Sequence, residues 1–379
     1  MRIAQQLWTQ GAGWSAAGGD GNALADASLV FYFGAPAALA GGNALAELAR
    51  RFPSAQLVGC STGGEIHGEE VLDDSVSATA VAFAHTRVQV AEVSIADAAA
   101  SHDAGAAVAA RLGGDGLRSV FVLSDGIRVN GSELVRGMTE RLGEEVLITG
   151  GLAGDGARFG TTYVGVGGEV RAGAIAAVGF YGDRLDIRHG SAGGWDAFGP
   201  RREITRSQGN VLHELDGEPA LDLYKRYLGE EAENLPGSAL LFPLRIHPPG
   251  HEEAALVRTV LAVDEAQRTM TFAGDMPQGH IGQLMRGNFD RLVDGASLAA
   301  TEAMSRSSEP GLGILVSCIG RKLLLGQRIA EEVETVADIL GRDVAISGFY
   351  SYGEISPHSA TGMCELHNQT MTITVLREN

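Results

Sequence analysis

The sequence predicts an α/β protein of mixed sheets with flanking helices, built from repeated strand-helix-strand units in two related domains. The first observation behind this prediction is a glycine-rich segment that occurs three times. We call the copies glycine phrases, and they are phrase 1 (Leu57–Ile66), phrase 2 (Leu147–Gly156) and phrase 3 (Ala345–Ile355). In phrases 1 and 3 a second glycine follows the first after five residues and precedes Glu-Ile. This spacing indicates an internal repeat.

The second observation is that each phrase follows the same apolar pattern. An apolar run, a helical pattern and a second apolar run lead into the glycines. The first runs and the predicted helix ends are Leu29–Phe33 with Arg51, Val120–Leu123 with Leu142, and Ile314–Ser317 with Leu340. Uninterrupted apolar strands on both sides of a helix predict a parallel pair buried on both faces. Ligands of open α/β sheets bind beyond the carboxyl ends of such strands, so the phrases predict a pocket.

The remaining elements follow from alternation, turn residues and capping signals. Strands are predicted at 76–84 and 88–94, and a helix at Ser101–Leu112. The stretches 161–166, 170–181 and 184–189 are interpreted as an antiparallel meander joined by glycine turns. A helix at Pro219–Leu228, a helix at Phe289–Arg306 and a last strand at Gln369–Leu376 complete the chain. We place the domain boundary near Asp216, which gives domains 1–215 and 216–379.

Composition limits the function classes. The chain has 379 residues, a formal charge of -18 and 45% hydrophobic residues. A strongly negative charge repels phosphate backbones and anionic lipid, so neither nucleic acid nor a membrane surface is expected as a partner. No apolar run reaches the length of a membrane span, and the first residues do not have the pattern of a signal peptide. Three widely spaced cysteines indicate a reducing compartment, so we predict a cytoplasmic protein.

Four motifs in this order resemble the FIST family. They are Gly59–Glu65, Gly150–Asp155, Glu214–Ala220, and Gly353–Ile355 with Leu366–Thr370. The resemblance covers an N-terminal and a C-terminal FIST domain from about Ser28 to the last strand. It implies a bacterial sensory module that binds a small molecule, with amino acids or haem that senses nitric oxide as ligand classes. Because only Arg377–Asn379 follow the second domain, signalling through a separate histidine kinase or cyclic-di-GMP enzyme is expected.

The phrases supply most candidate ligand-binding residues. Hydroxyl, thiol and carboxylate groups in phrases 1 and 2 suit an amino or hydroxyl group on a ligand, and phrase 3 adds a carboxylate and aromatic walls with polar tips. These residues are Cys60, Ser61, Thr62, Glu65, Asp155, Tyr350, Tyr352 and Glu354. The alternative is that the glycines only form tight turns and that Glu65 and Glu354 cap neighbouring turns or pair with arginine.

Two further strand ends carry a small polar residue followed by an arginine. Asp125 with Arg128, and Cys318 with Arg321, occupy these positions. An arginine there is able to clamp a carboxylate or a haem propionate. The alternative is that both arginines are surface groups.

A serine hydrolase is the alternative function that the sequence leaves open. Gly59–Gly63 matches the G-x-S-x-G nucleophile elbow, which makes Ser61 a candidate serine hydrolase nucleophile. That elbow requires a helix after the serine, and Gly64 and Gly68–Glu70 are poor helix formers.

A haem ligand is sought among ten histidines. A neutral imidazole in apolar surroundings is the usual proximal ligand. His280, beside Met276 and Ile281, is the first candidate and His85 the second. A histidine beside apolar residues is also common as a structural residue, so both interpretations stay open.

Overall fold

The computed structural model describes residues 1–17, 24–304 and 309–379. The helices are α1 (Pro36–Ala40), α2 (Asn43–Arg51), α3 (Ser101–Leu112), α4 (Gly131–Leu142), α5 (Ala220–Leu228), α6 (Phe289–Ala303), α7 (Ile319–Leu325) and α8 (Ile329–Leu340). The strands before residue 193 are β1 (Arg2–Thr9), β2 (Gly13–Ala17), β3 (Leu29–Gly34), β4 (Gln56–Ser61), β5 (Glu65–His67), β6 (Glu70–Leu72), β7 (Ser75–Ala82), β8 (Arg87–Ser94), β9 (Leu117–Ser124), β10 (Leu147–Leu152), β11 (Val164–Val166), β12 (Glu169–Arg171), β13 (Ala174–Tyr181) and β14 (Leu185–Ala192).

Fourteen further strands follow. Those of the middle segment are β15 (Trp195–Ala197), β16 (Arg202–Gln208), β17 (Val211–Leu215), β18 (Glu218–Pro219), β19 (Leu244–His247), β20 (Leu256–Arg258), β21 (Val260–Asp264), β22 (Thr269–Phe272) and β23 (Ile281–Gly287). Those of the last segment are β24 (Gly311–Cys318), β25 (Val344–Ser351), β26 (Gly353–Pro357), β27 (Cys364–His367) and β28 (Met371–Glu378).

Three strand-helix-strand units form as the sequence predicts. The parallel pairs are β3 with β4, β9 with β10, and β24 with β25. The helices between them end at Arg51, Leu142 and Leu340, as expected. Each first strand also pairs with an antiparallel strand of its own repeat, namely β7, β13 or β28. The α/β class, the mixed sheets and the repeated units are therefore confirmed.

The three repeats exchange hairpins in a cycle. The hairpin β5–β6, which follows unit 1, joins β25 of unit 3. The hairpin β26–β27, which follows unit 3, joins β10 of unit 2. The hairpin β11–β12, which follows unit 2, joins β4 of unit 1. Three sheets result, in the orders β12-β11-β4-β3-β7-β1-β2, β27-β26-β10-β9-β13-β8 and β14-β28-β24-β25-β5-β6.

A central core lies between the three sheets. Its aromatic residues come from all three repeats, since the Phe31 ring meets Phe121 edge-on at 5.3 Å and Phe33 stacks on Phe349 at 4.7 Å. Because each repeat both lends and receives a hairpin, no repeat buries its inner face alone. This arrangement fixes the carboxyl ends of the parallel strands beside one another.

A strand-rich body is inserted in the third repeat between β14 and α6. Strands β15–β23 form one sheet in the order β20-β19-β23-β16-β17-β22-β21, with β15 on β23 and β18 on β17. Helix α5 packs on this sheet, and its buried leucines share a core with Ile204 and Phe272. Asp216 lies in the turn after β17, inside this body. The sequence division at residue 216 stays a prediction.

The structure also bears on two other predicted elements, the meander at 161–189 and the helix that begins at Phe289. The antiparallel meander at 161–189 is confirmed only at its first turn, where β11 and β12 pair across Gly167-Gly168. The rest of it is wrong, because β13 pairs with β8 and β9 whereas β14 pairs with β28 in another sheet. All eight residues of β13 are buried, so it takes a central place and the Gly182 turn leads out of its sheet. The Phe289–Arg306 helix is seen to Ala303, and Arg306 lies outside the described residues.

Candidate functional site

The three glycine phrases meet at the carboxyl ends of the parallel strands. Gly63 N–H donates to the Tyr350 carbonyl at 2.7 Å, and Tyr350 N–H donates to that of Gly64 at 2.9 Å. Gly154 N–H donates to the Ser61 carbonyl at 2.9 Å. We call this region the junction, which comprises Ser61–Glu65, Ala153–Asp155 and Tyr350–Glu354. The ligand pocket that the sequence analysis places at the phrases stays a prediction.

The first glycine of each phrase is explained by backbone packing. A Cβ built on Gly59 would lie 1.9 Å from the Tyr32 carbonyl oxygen, and one built on Gly348 would lie 2.0 Å from that of Leu315. Gly150 has the same relation to Val122, at 1.9 Å. In all three units the second parallel strand therefore approaches the first too closely for any side chain.

The two repeated glutamates, Glu65 and Glu354, accept equivalent hydrogen bonds in repeats 1 and 3. Glu65 accepts from Thr62 Oγ1 at 2.5 Å and from Ser75 N–H and Oγ at 3.2 and 2.7 Å. Glu354 accepts from Ser351 Oγ at 2.6 Å and from Thr370 N–H and Oγ1 at 3.1 and 2.9 Å. Burial raises the pKa of Glu65 to about 7 and that of Glu354 to about 8. Each carboxyl thus ties its phrase to the start of the next long strand.

Phrase 2 uses its acidic residue differently. Asp155 accepts from the N–H groups of Phe159, Gly160 and Thr161 at 2.8 to 2.9 Å, and from the Tyr352 hydroxyl. The Tyr352 ring stacks on Phe159 at 4.6 Å. Asp155 therefore organises a surface loop and links it to phrase 3.

The two arginines predicted at strand ends, Arg321 and Arg128, differ in burial. Arg321 is fully buried and donates to Glu332 at 2.8 and 3.0 Å, and also to the carbonyls of Gly193 and Leu292. The surface reading of Arg321 is therefore wrong, because the Glu332 carboxylate within the repeat supplies its counter-charge. Arg128 is exposed, and Asp125 accepts from backbone N–H groups, including that of Gly173 at 2.8 Å.

The nucleophile elbow is not formed at Ser61. Its Oγ donates to the Gly154 carbonyl at 2.8 Å and accepts from Tyr163 N–H at 2.9 Å, and the side chain is buried. Strand β5, not a helix, follows the phrase. Within the described residues no histidine, lysine or carboxylate hydrogen-bonds to this hydroxyl. Burial also raises the pKa of the Cys60 and Cys318 thiols, so neither resembles an activated nucleophile.

His280 lies in the half-buried turn before β23. Burial, followed by the charges of His247 and Arg258, lowers the pKa of its imidazole. The neutral form, which is the one that binds iron, is therefore favoured at neutral pH. Among the described residues, no group of three or more His, Cys, Asp or Glu side chains is placed to hold a metal ion. His85 has its backbone N–H bound by Glu378 and its ring beside Arg184.

A narrow cleft of about 10 Å³, enough for about one water molecule, opens into the core of the strand-rich body. Its walls come from β16, β17, α5, β19, β22 and β23. The inner residues, all buried, are Leu215, Leu223, Tyr224, Leu244, Met270, Gly282 and Leu284. Pro200, Arg202, Tyr227 and Gln283 lie at its partly exposed mouth.

Sequence reasoning missed this cleft. Its polar residues come from β16, α5 and β23, which are far apart in the chain and carry no shared motif. One signal was available, since Arg202 pairs with Asp216, which belongs to the Glu214–Ala220 motif. His280 is close in sequence to Gly282 but is not on the cleft wall.

Comparisons with known proteins give a family match. The family model for the FIST N domain matches residues 28–218, and that for the FIST C domain matches residues 220–357. No curated protein matches. Two solved structures of cyanuric acid hydrolases, one of them from A. caulinodans, each cover 100% of this chain and 99% of their own, at 10% and 11% identity. Their TM-scores are 0.37 and 0.31.

No helix in the described ranges is both long and apolar enough to cross a membrane.

Proposed function

Because this chain belongs to the FIST family, whose domains are small-ligand-binding sensory modules, we propose that it senses a small molecule bound in the strand-rich cleft. The observation that supports this location is a narrow apolar cleft with Arg202 and Gln283 at its mouth, and the cleft must widen to admit a ligand. Ligand sites typically combine an apolar wall with a few polar groups that fix orientation. The cleft has both features.

The junction is a weaker location for the ligand. Its carboxylates, hydroxyls and backbone N–H groups bind one another across the three repeats. A ligand there would have to replace bonds already made, at a cost for every buried group left unpaired. The junction residues predicted from the sequence therefore remain the second candidate ligand site.

Two ligand classes come from the family resemblance, haem that senses nitric oxide and amino acids. The lowered pKa of His280 supports haem, because it keeps the imidazole neutral. The position of His280 outside the cleft wall does not support haem in the cleft. Haem is thus a separate proposal, with His280 as the axial ligand.

Output through a partner in trans rests on the same resemblance. We expect a separate histidine kinase or cyclic-di-GMP enzyme to respond when the cleft is occupied. A ligand can change that response only if it binds the two signalling conformations with different affinity.

The test is a thermal-shift screen of amino acids and other small molecules with a blocked cleft as the comparison. A Cβ built on Gly282 lies 3.7 Å or more from its neighbours, so Gly282→Leu extends a side chain into the cleft. The matched control is Gly237→Leu, at an exposed glycine with no neighbouring atom within 4 Å. A hit should stabilise the wild type and the control by about 2.7 kcal/mol at one hundred times its Kd, and leave Gly282→Leu unchanged.

A hit that stabilises all three proteins equally would place the ligand elsewhere and contradict the cleft. Haem is tested in parallel by absorption spectra of the protein with added haem, recorded oxidised, reduced, and reduced with nitric oxide. A Soret band at one haem per chain that His280→Ala removes would support haem. The lack of a stable band would remove it.

A further inference from the structure

A three-residue segment joins the inserted body to the junction. It is Asn368–Thr370, which leads into β28, and we call it the link. On the side of the body, Gln369 Nε2 donates to the Leu240 carbonyl at 2.9 Å and to Thr259 Oγ1 at 3.1 Å. The side-chain oxygen of Asn368 accepts from Thr259 N–H at 3.3 Å. The body is therefore bound to the link through buried side-chain hydrogen bonds.

The other side of the link binds the junction. Glu354 accepts from Thr370 N–H at 3.1 Å and from Thr370 Oγ1 at 2.9 Å, a contact that we call the latch of repeat 3. The Tyr352 carbonyl accepts from Asn368 Nδ2 at 3.3 Å. Because three consecutive residues carry both sets of bonds, a movement of the body at the link must change the geometry at Glu354.

Repeat 1 has the same segment in an exposed position. It is Asp73–Ser75, and Ser75 donates to Glu65 from its N–H and its Oγ, which is the latch of repeat 1. The middle residue is left-handed in both copies, with φ of 56° at Asp74 and 64° at Gln369. Asp74 is exposed, whereas Gln369 is fully buried. Repeat 1 therefore provides a matched comparison for the link.

The backbone of Gln369 is held in place by its surroundings. A left-handed conformation is unfavourable for a residue with a side chain. Its carbonyl accepts from Trp195 Nε1 in the body at 3.0 Å, and a Cβ built on Gly320 of α7 would lie 2.5 Å from its Oε1. Such conformations persist only where the surrounding structure imposes them. Loss of the contacts with the body should therefore release Gln369 into another conformation.

We propose that the link is a conformational relay, in which the hydrogen bonding of Glu354 at the junction changes with the position of the inserted body. This inference goes beyond the proposed function, because it does not depend on which ligand binds. It gives a route by which a change in the body reaches the three repeats. Coupling between two sites is reciprocal, so a change at Glu354 must also alter the contacts of the body with the link.

The test is a double-mutant cycle at pH 7 with a matched control. Thr259→Val removes the hydroxyl that accepts from Gln369 in the body, and Glu354→Gln alters the latch of repeat 3. Urea unfolding of the full chain gives the equilibrium constants. The double variant should differ at least about fivefold from the product of the two single effects. The control cycle combines Thr259→Val with Glu65→Gln, which alters the latch of repeat 1, and should be multiplicative within about twofold.

Amide hydrogen exchange tests the reciprocal effect within the folded protein. The N–H of Thr259 donates to Asn368, so Glu354→Gln should accelerate its exchange several-fold and Glu65→Gln should leave it unchanged. Far-ultraviolet circular dichroism checks that each variant is folded. Multiplicative effects in both cycles, equal coupling in both, or the same exchange at Thr259 in both glutamine variants would each overturn the inference. The proposed function is tested separately by the Gly282→Leu comparison, so either is able to fail alone.

Discussion

The junction and the cleft treat their polar groups in opposite ways. At the junction, Glu65 and Glu354 are buried and each has several partners within the protein. The same holds for Arg321, which is linked to Tyr350 of the junction through Glu332. At the cleft, an apolar wall ends at Arg202, whose Nε has no partner among the described residues. The junction is the more regular of the two, since the close strand approach occurs in all three repeats and the glutamate contact in two of them. The cleft occurs in the inserted body, which has no counterpart in repeats 1 and 2 within the part of the chain that the structure describes.

This difference separates two meanings of a sequence motif. A motif repeated in register marks what the repeats share. Here all three repeats share close strand contact, and two share a glutamate that ties the phrase to the next long strand. A ligand site needs groups that the protein leaves unmatched. The predictions below test this distinction, beginning with the largest expected effect.

Removing the Arg321 charge should have the largest effect on stability. Arg321→Gln leaves Glu332 buried without its cation, and breaking a buried ion pair in this way costs about 3 to 5 kcal/mol. Arg202→Gln at the cleft mouth removes a partly exposed pair, which solvent screens, and should cost much less. Urea unfolding of both variants measures the contrast. Similar losses would show that the two regions do not differ in this respect.

One methyl group tests the packing of the two regions. Gly348→Ala places a Cβ 2.0 Å from the Leu315 carbonyl oxygen and should destabilise the protein by about 3 kcal/mol. Gly282→Ala places a Cβ at ordinary contact distance and should change stability by less than about 1 kcal/mol. The free energy of unfolding is again the measurement. A tolerated alanine at 348 would contradict the close-approach explanation of the phrases.

The junction should also make stability depend on pH. The raised pKa of Glu354, about 8, means that the folded state holds a proton that the unfolded state releases at lower pH. Stability is therefore greatest below the unfolded pKa and falls as pH rises through about 8. Between about pH 7 and 8.5 we expect a loss on the order of 1 kcal/mol, since one pKa unit corresponds to about 1.4 kcal/mol.

The variant Glu354→Gln isolates this effect, because its amide does not titrate. It should show a flatter pH dependence than the wild type, because no proton has to be retained in its folded state as the pH rises. An equally steep decline in the variant would assign the pH dependence to other groups.

Local patterns predicted much of the fold. Apolar runs, helix-ending residues and glycine spacing gave the three units, and the Ser101–Leu112 helix begins and ends as expected. Hairpin exchange was not predictable, because pairing of β5 with β25 depends on contacts between residues far apart in the chain. For the same reason the sequence did not indicate that β13 and β14 belong to different sheets.

Prediction of the site was limited by a physical ambiguity. Thr62, Glu65 and Tyr350 were chosen because ligand sites use such groups, yet buried latches use the same groups. Only the hydrogen-bond partners of these groups distinguish a ligand site from a buried latch. Partners such as Ser75 and Glu332 are brought into place by the tertiary structure. Arg202 was missed because its significance lies in one nitrogen without an acceptor, which no sequence pattern records.

Thiol reactivity compares the junction and the cleft with little change to the protein. Cys60 and Cys318 are buried at the edge of the junction, and burial raises the pKa of both thiols. A thiol reagent should therefore leave both unmodified in the folded protein, because the thiolate is the reactive form. Gly282→Cys adds a thiol on the cleft wall at little cost in stability, and it should react much faster than the native cysteines.

Mass spectrometry after a timed reaction locates the modified residue. A ligand found in the screen should slow modification of the Gly282→Cys thiol and leave the other cysteines unaffected. Rapid modification of Cys318 with slow modification at position 282 would reverse the comparison, since the junction would then be the region open to small molecules.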